Sequence, residues 1–196
     1  MAISFDYPPG ATPLDPDEAA GLIPSHITNH GQLNEWELVN IVEGERWAFS
    51  RKRKDLLSIE FVRRLHKRMF GDTWRWAGTF RSTEKNIGID PARIQPTLLD
   101  LFKDAEMQLE HKSYSLDGIA ARFSHRLVSI HPFANGNGRL SRTMADLLLV
   151  REGSQRFNWG AGTNLVAEGD TRRAYIDSLR AADARDYAPL LAFVRS

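Results

Sequence analysis

Twelve residues, His131-Pro132-Phe133-Ala134-Asn135-Gly136-Asn137-Gly138-Arg139-Leu140-Ser141-Arg142, constrain this chain more than any other stretch. Apolar residues recur at helical spacing on both sides of it. Ile119, Phe123, Leu127 and Ile130 precede it, and Met144, Leu147, Leu148 and Val150 follow. The segment between cannot simply continue either helix. Pro132 biases His131 away from the right-handed helical region, so the first helix is expected to stop there. Gly136 and Gly138 permit a tight turn whose backbone amides can converge on an anion. A new helix is expected near Arg139, its positive dipole end aimed at the turn. One loop therefore gathers a base, an amide nest, a helix N-terminus and two arginines. That set suits polyphosphate binding and phosphoryl or nucleotidyl transfer.

The residue types fit that chemistry. A neutral imidazole with an unperturbed pKa of about 6.5 can accept a hydroxyl proton near pH 7, and His131 is the histidine placed beside the loop. Arg139 and Arg142 lie three apart at the helix start, so both can reach toward the nest. Their guanidinium forks match phosphate oxygens, and cations at a helix N-terminus oppose the dipole unless an anion joins them. Phe133 is read as a core residue that locks the loop against the helices. His26, His30, His66, His111 and His125 lack such company, and His125 is read as a packing or hydrogen-bonding residue.

The rest of the chain reads as one all-α domain. Its 196 residues are enough for a sizeable core, and 42% hydrophobic with 26% charged residues is ordinary for a globular chain. A net charge of +1 gives no reason to expect direct nucleic-acid or membrane binding. The basic run Arg51 to Lys54, with Arg63, Arg64, Lys67 and Arg68, is read as a solvated face. Cysteine is absent, which excludes disulfides and thiolate chemistry. The opening residues carry no signal-peptide pattern and no run reaches membrane-spanning length, so a cytoplasmic location is expected. Residues 1–15 are read as an extended arm, and Asp15 as the cap of a short helix from Pro16 to about Leu22. Helices are predicted over about 33–49, with Leu33, Trp36, Val39, Asn40 and Trp47 on the apolar stripe. Others are predicted from about Leu57 to Gly71, from Pro91 or Pro96 to about Glu110, and over about 170–182 and 187–194. Phe80 to Ile89 is the best hairpin candidate. The domain plan is an N-terminal arm and short helix over 1–32 and the main domain over 33–196.

The twelve-residue string resembles the Fic-domain signature HPFx(D/E/N)GNGRxxR, matching it at every defined position. The likeness extends to Trp76-Ala77-Gly78-Thr79-Phe80-Arg81, which leads into the Fic flap hairpin. It also reaches Tyr175 and the stretch 179–186, which resemble the helix closing the adenine pocket. The opening segment, residues 12–37, is similar to the bacterial Fic subgroup called mobile mystery protein B. The resemblance implies a Fic-type helical bundle with a small β-hairpin flap and protein adenylyltransferase activity, with ATP as substrate and Mg²⁺ as cofactor. His131 would be the base. Asn135, Gly136, Asn137, Gly138, Arg139 and Arg142 would bind the nucleotide, Arg139 at the inner phosphates and Arg142 at the γ-phosphate. Asn135 would also ligate the metal, less strongly than the commoner carboxylate. Asn137 would offer its side-chain amide to the phosphates. Tyr175 and Asp183 would occupy the adenine-pocket positions, with Asp183 in place of the more frequent asparagine. Asn86, Ile87, Gly88 and Ile89 would form the flap that pairs with a target protein as an added strand and presents its hydroxyl.

The family's inhibitory motif, (S/T)xxxE(G/N), has its nearest match in Val39-Asn40-Ile41-Val42-Glu43-Gly44. An inhibitory Glu43 would pair with Arg142. Gly44 inside a helix is unfavourable by about 1 kcal/mol relative to alanine, which points to close packing or function. Two alternatives stay open beside AMP transfer. One is kinase-like or other nucleotidyl transfer, against which Gly138 argues because kinase-type members carry lysine there. The other is a nucleotide-gated toxin or interaction module without enzymatic activity. The subgroup resemblance also implies a helix-turn-helix partner protein.

Overall fold

Everything at the centre of the molecule follows from two helices joined by the twelve-residue segment. The computed structural model describes residues 12–160, 165 and 169–196, and residues 1–11 of the expected arm lie outside the described residues. Eight α-helices occur among the described residues: α1 (Pro16–Ala19), α2 (His30–Phe49), α3 (Ile59–Phe70), α4 (Ile94–Glu110), α5 (Leu116–Ile130), α6 (Asn137–Arg151), α7 (Asp170–Asp183) and α8 (Ala188–Arg195). A 3₁₀ turn at Pro91–Arg93 leads into α4. Helix α5 lies along α6 and α4, α2 packs on α3, and α7 and α8 form a pair that returns to α5. Both α2 and α3 also touch α6. No helix among the described residues is long and apolar enough to cross a membrane.

The apolar stripes dictate this packing. Ile119, Phe123, Leu127 and Ile130 of α5 are buried, as are Phe61, Val62, Leu65 and Met69 of α3. Helix starts carry side-chain caps where the sequence supplies them: Asn29 accepts from the Gln32 amide, Ser58 from Phe61 and Ser115 from Gly118. The stripe on α2 differs from the expected one. Trp36 and Val39 face outward, and the buried line runs through Leu33, Glu37, Asn40, Ile41, Gly44 and Ala48. Gly44 is there because α3 comes close: a Cβ at this position would stand 2.7 Å from Met69 Cγ and 2.9 Å from the Arg68 carbonyl carbon.

Two expectations about local structure are corrected. The segment 81–90 is not a hairpin, and among the described residues the only β-type pairing is the isolated bridge between Leu22 and Trp74. The reason is where its hydrogen bonds go. Arg81 N donates to the Pro132 carbonyl at 3.0 Å and Ile89 N to the Ile130 carbonyl at 3.4 Å, so both ends of the segment pair with the end of α5 and the loop after it. The Arg81 guanidinium fills the middle, donating to the carbonyls of Thr83 (2.8 Å) and Ile89. A loop closed around a buried guanidinium replaces a strand ladder. The basic run is also only partly a solvated face: Arg53 is buried, donates to the Ala48 and Trp47 carbonyls and lies 4.2 Å over the Trp47 ring.

Removing that guanidinium should cost more than a surface arginine would. Arg81→Ala leaves several buried carbonyls without a donor, and hydrogen bonds from charged groups contribute about 1.5–3 kcal/mol each. We expect a loss of roughly 3 kcal/mol in urea unfolding, with hydrogen exchange accelerating first at residues 82–90. Exchange that speeds up uniformly along the chain would show that Arg81 does not hold this loop.

Candidate active site

Helix α5 ends at Ile130, and the next residue turns the chain sharply. His131 sits in the left-handed region (φ 55°, ψ 60°), a conformation that costs a non-glycine residue about 1–2 kcal/mol. Its surroundings impose it. Arg81 Nε donates to the His131 carbonyl at 2.6 Å, and the backbone of Gly88 lies so close that a Cβ there would be 2.8 Å from His131 Cβ. The loop then folds back on itself through Asn137. Asn137 Oδ1 accepts from Phe133 N at 2.9 Å, and its Nδ2 donates to the Phe133 carbonyl at 2.8 Å. The amide oxygen and one of its two N–H groups therefore brace the loop. Phe133 is fully buried, its ring stacked with centroids 3.7 Å from His66 and tilted at 5.2 Å from Phe80.

His66 is a site residue that sequence reasoning missed. It lies in the middle of α3, fully buried. Its Nδ1 accepts from Gly78 N and its Nε2 donates to the Asn135 carbonyl, each at 3.0 Å. One neutral ring thus ties α3 to both the loop and the approach to segment 81–90. Burial pushes its pKa down to about 3, helped by the charge of Arg139 and opposed by the Asn135 carbonyl.

Gly136 occupies the position before α6 with φ 79°, and a Cβ there would strike the Phe70 ring at 2.6 Å. Only glycine fits that turn. The first amides of α6 consequently face the loop without side-chain caps, next to Arg139 and Arg142. Asn135 Oδ1 accepts from Gly136 N at 2.6 Å. Arg139 donates to Glu37 Oε2 at 2.6 Å and lies 4.8 Å over the Phe70 ring. Glu37 is buried on α2, and its other oxygen accepts from Trp74 Nε1 at 2.7 Å. Arg142 makes no ion pair among the described residues and lies 5.4 Å from the centroid of Tyr175. The hydroxyl of Tyr175 is buried with no hydrogen-bond partner among the described residues.

The carboxylate that enters the site from α2 is therefore Glu37, and it meets the first arginine. Glu43 is exposed, and the expected Glu43–Arg142 pair does not form among the described residues. The signal for Glu37 was present in the sequence: a carboxylate four residues after Leu33 and four before Ile41, inside an apolar stripe, calls for a buried cation. Asp183 is likewise committed. Its Oδ1 stands 2.8 Å from His125 Nε2, and the Tyr187 hydroxyl meets the other ring nitrogen at 3.2 Å. His125 is thus the hydrogen-bonding residue expected of it.

His131 faces a hydroxyl. Its Nε2 shares a 3.0 Å hydrogen bond with Thr12 Oγ1, and both residues are buried. Burial pushes its pKa down to about 4; the charges of Arg81 and Lys85 act the same way, and the Val128 carbonyl acts against them. The imidazole is neutral at pH 7, the form that can take a proton. Around it the chain segment before α2 is stitched to loop 81–90. Lys85 donates to Asp15 Oδ2 at 2.8 Å and to Glu18, and Thr83 Oγ1 donates to Asp15 Oδ2 at 2.9 Å. Those bonds hold the Asp15 carboxyl below its ordinary range. Among the described residues, no cluster of three or more His, Asp or Glu side chains could hold a metal ion.

Comparison with known proteins agrees with this geometry. Residues 56–149 match the model of the Fic/DOC family. The protein adenylyltransferase fic-1 of Caenorhabditis elegans is 27% identical over 150 residues, which is 73% of this chain and 27% of that protein. The chain spans about a quarter of the length of the curated adenylyltransferases it matches. The crystal structure of the N-terminal Fic domain of a VirB-translocated effector from Bartonella quintana has the same fold, with a TM-score of 0.70 at 19% identity over 87% of this chain and 84% of that one. A Bartonella quintana Fic domain with bound ADP gives 0.66, again at 19% identity, over 87% and 86%.

The buried histidines set a direction for stability against pH. Folded pKa values of about 4 for His131 and about 3 for His66 lie below the ordinary 6.5, so their stability contribution is complete above pH 6.5 and is lost as pH falls. Asp146 opposes them. Burial raises its pKa to about 6, so its contribution is complete below 3.8 and lost as pH rises. Between pH 4 and 6 the unfolded chain gains two histidine protons against one on folded Asp146, a net slope of about 1.4 kcal/mol per pH unit. Urea midpoints should fall from pH 6 to pH 4.5, and more steeply in Asp146→Asn. A midpoint that rises toward acid would contradict the neutral, buried histidines.

Proposed function

Because the chain carries a Fic/DOC-family domain, we propose that it is a protein adenylyltransferase, moving AMP from ATP to a Ser, Thr or Tyr hydroxyl of a protein. The observation that carries this reading is the 3.0 Å hydrogen bond between His131 Nε2 and a hydroxyl, beside a helix N-terminus flanked by two arginines. In the proposed reaction His131 takes the proton of the acceptor hydroxyl. The acceptor oxygen bonds to the α-phosphorus of ATP, the bond from that phosphorus to the bridging oxygen breaks, and pyrophosphate leaves with the electron pair. The first amides of α6 with Arg139 and Arg142 would receive the phosphates, whose charge they complement. Tyr175, whose buried hydroxyl has no partner among the described residues and whose ring centroid lies 5.4 Å from Arg142, would line the nucleotide pocket. Loop 81–90 would set the target segment over His131, with Asn86, Ile87 and Gly88 at its exposed edge.

Mg²⁺ fits this donor set as an ion held mainly by phosphates. The loop would offer it the neutral oxygen of the Asn135 amide, and Mg²⁺ commonly takes few protein ligands together with substrate oxygens and water. Bound there it would neutralise phosphate charge. The likeness of residues 12–37 to the mobile mystery protein B subgroup, and the helix-turn-helix partner it implies, belong to the same proposal.

His131→Ala should bind ATP normally and lose AMP transfer by roughly 10²–10⁴-fold, because the imidazole acts on the proton and not on the phosphates. Label on the α-phosphate of ATP should reach protein, and label on the γ-phosphate should not. Transfer of γ-label would replace the adenylyl reading with a kinase one. Glu37→Gln should free Arg139 and tighten ATP binding by roughly fivefold to tenfold in calorimetry, the equivalent of about 1–1.4 kcal/mol. Unchanged affinity would show that Arg139 does not meet the phosphates.

A further inference from the structure

The residue in the acceptor position of His131 belongs to this chain. Thr12 Oγ1 lies 3.0 Å from Nε2, with only 7% of Thr12 exposed. Pro13 follows it and biases Thr12 to an extended backbone, which projects the side chain out of line with the strap. The segment behind it is fastened at several points. Asp15 accepts from Lys85 and Thr83, Glu18 pairs with the same Lys85, and the Glu18 carbonyl accepts from Trp76 Nε1 at 2.9 Å. The Lys85 side chain is 2% exposed, while those of its partners Glu18 and Asp15 are 16% and 45% exposed, so the cation is enclosed and its carboxylates stand at the edge of solvent. Further along, Ile23 N donates to the Thr73 carbonyl at 2.8 Å and Arg75 N to the Gly21 carbonyl at 2.9 Å. Residues 12–23 thus run along loop 81–90 and the turn before it, anchored at both ends, with a hydroxyl delivered to the base.

We propose that Thr12 is this protein's own acceptor: its hydroxyl is adenylylated in cis by the His131 of the same chain. The inference rests on the adenylyltransferase reading and adds the identity of a modified residue. With the neutral ring protonated on Nδ1, the Thr12 hydroxyl donates to Nε2. The proton moves to Nε2 as Thr12 Oγ1 bonds to the α-phosphorus of ATP, and pyrophosphate leaves with the electrons of the broken phosphoanhydride bond. The product is a phosphodiester on Thr12. Its oxygen can no longer donate to His131 and can only accept from the Nε2–H formed in the step, so the bond that seats the strap changes direction. A base that holds a tethered hydroxyl gains the effective concentration of an intramolecular reaction over any protein arriving from solution.

The full chain, purified without nucleotide, is incubated with α-phosphate-labelled ATP and Mg²⁺, with and without a cell lysate as a source of other acceptors. Intact mass and peptide fragmentation then locate the modification. The expected result is a gain of one AMP on Thr12, at a rate per molecule independent of protein concentration. Thr12→Ser should retain the modification, Thr12→Val should lose it completely, and His131→Ala should lose all label. In a mixture of the active chain with His131→Ala, the inactive copy should stay unlabelled on Thr12. AMP on lysate proteins or on other residues of the chain, with Thr12 unmodified, would overturn this inference and leave the adenylyltransferase reading standing. Label appearing on Thr12 of the His131→Ala copy would overturn the cis assignment. No label anywhere, from a chain that binds ATP, would remove both.

Discussion

One buried guanidinium organises the region where the chemistry would occur. Arg81 donates through Nε to the carbonyl of His131 and through its other nitrogens to Thr83, Ile89 and Ile130, while its own amide reaches Pro132. A delocalised, always-charged fork can satisfy several carbonyls that no strand or helix reaches. Through these bonds it holds His131 in the left-handed region, closes loop 81–90 and adds to the fields that keep the imidazole neutral. Lys85, carried by that loop, then fastens the strap that bears Thr12. The position of the base and the loop that fastens the hydroxyl against it trace to one side chain, while burial does most to keep the ring neutral.

A second constraint acts from the other side of the motif. Asn137 clamps both backbone groups of Phe133, Phe133 stacks on His66, and His66 takes the Asn135 carbonyl. This side of the loop is thus held by neutral hydrogen bonds among buried groups. Its charged groups, Arg139 and Arg142, start from the first turn of α6, where the backbone leaves uncapped amides. Glu37 neutralises Arg139 from α2, and Arg142 carries no such partner among the described residues. The two arginines differ in their electrostatic situation although they stand one turn apart. The one with a carboxylate partner must exchange it for a phosphate, and that exchange sets how strongly anions are held.

The helices, the loop and His131 were legible in the sequence because their signals are local. Apolar spacing on α3, α5 and α6, capping by Asn29, Ser58 and Ser115, and the demand for glycine at 136 need only neighbouring residues. The twelve-residue string therefore determined the break between α5 and α6 and the gathering of base, amides and arginines. Tertiary structure decided what each polar group would meet. Glu37 falls on the apolar stripe of α2 and Glu43 does not, but only the placement of α3 and α6 supplies Arg139 as the buried partner of the first and leaves the second in water. Residues 81–90 read as a hairpin, yet their donors were claimed by the end of α5, distant in sequence. His66 gained its role from a carbonyl 69 residues away, and Thr12 met His131 across 119. Local periodicity fixes which face of a helix is apolar. Long-range partners of buried polar groups are chosen by desolvation, which acts only once the helices have packed.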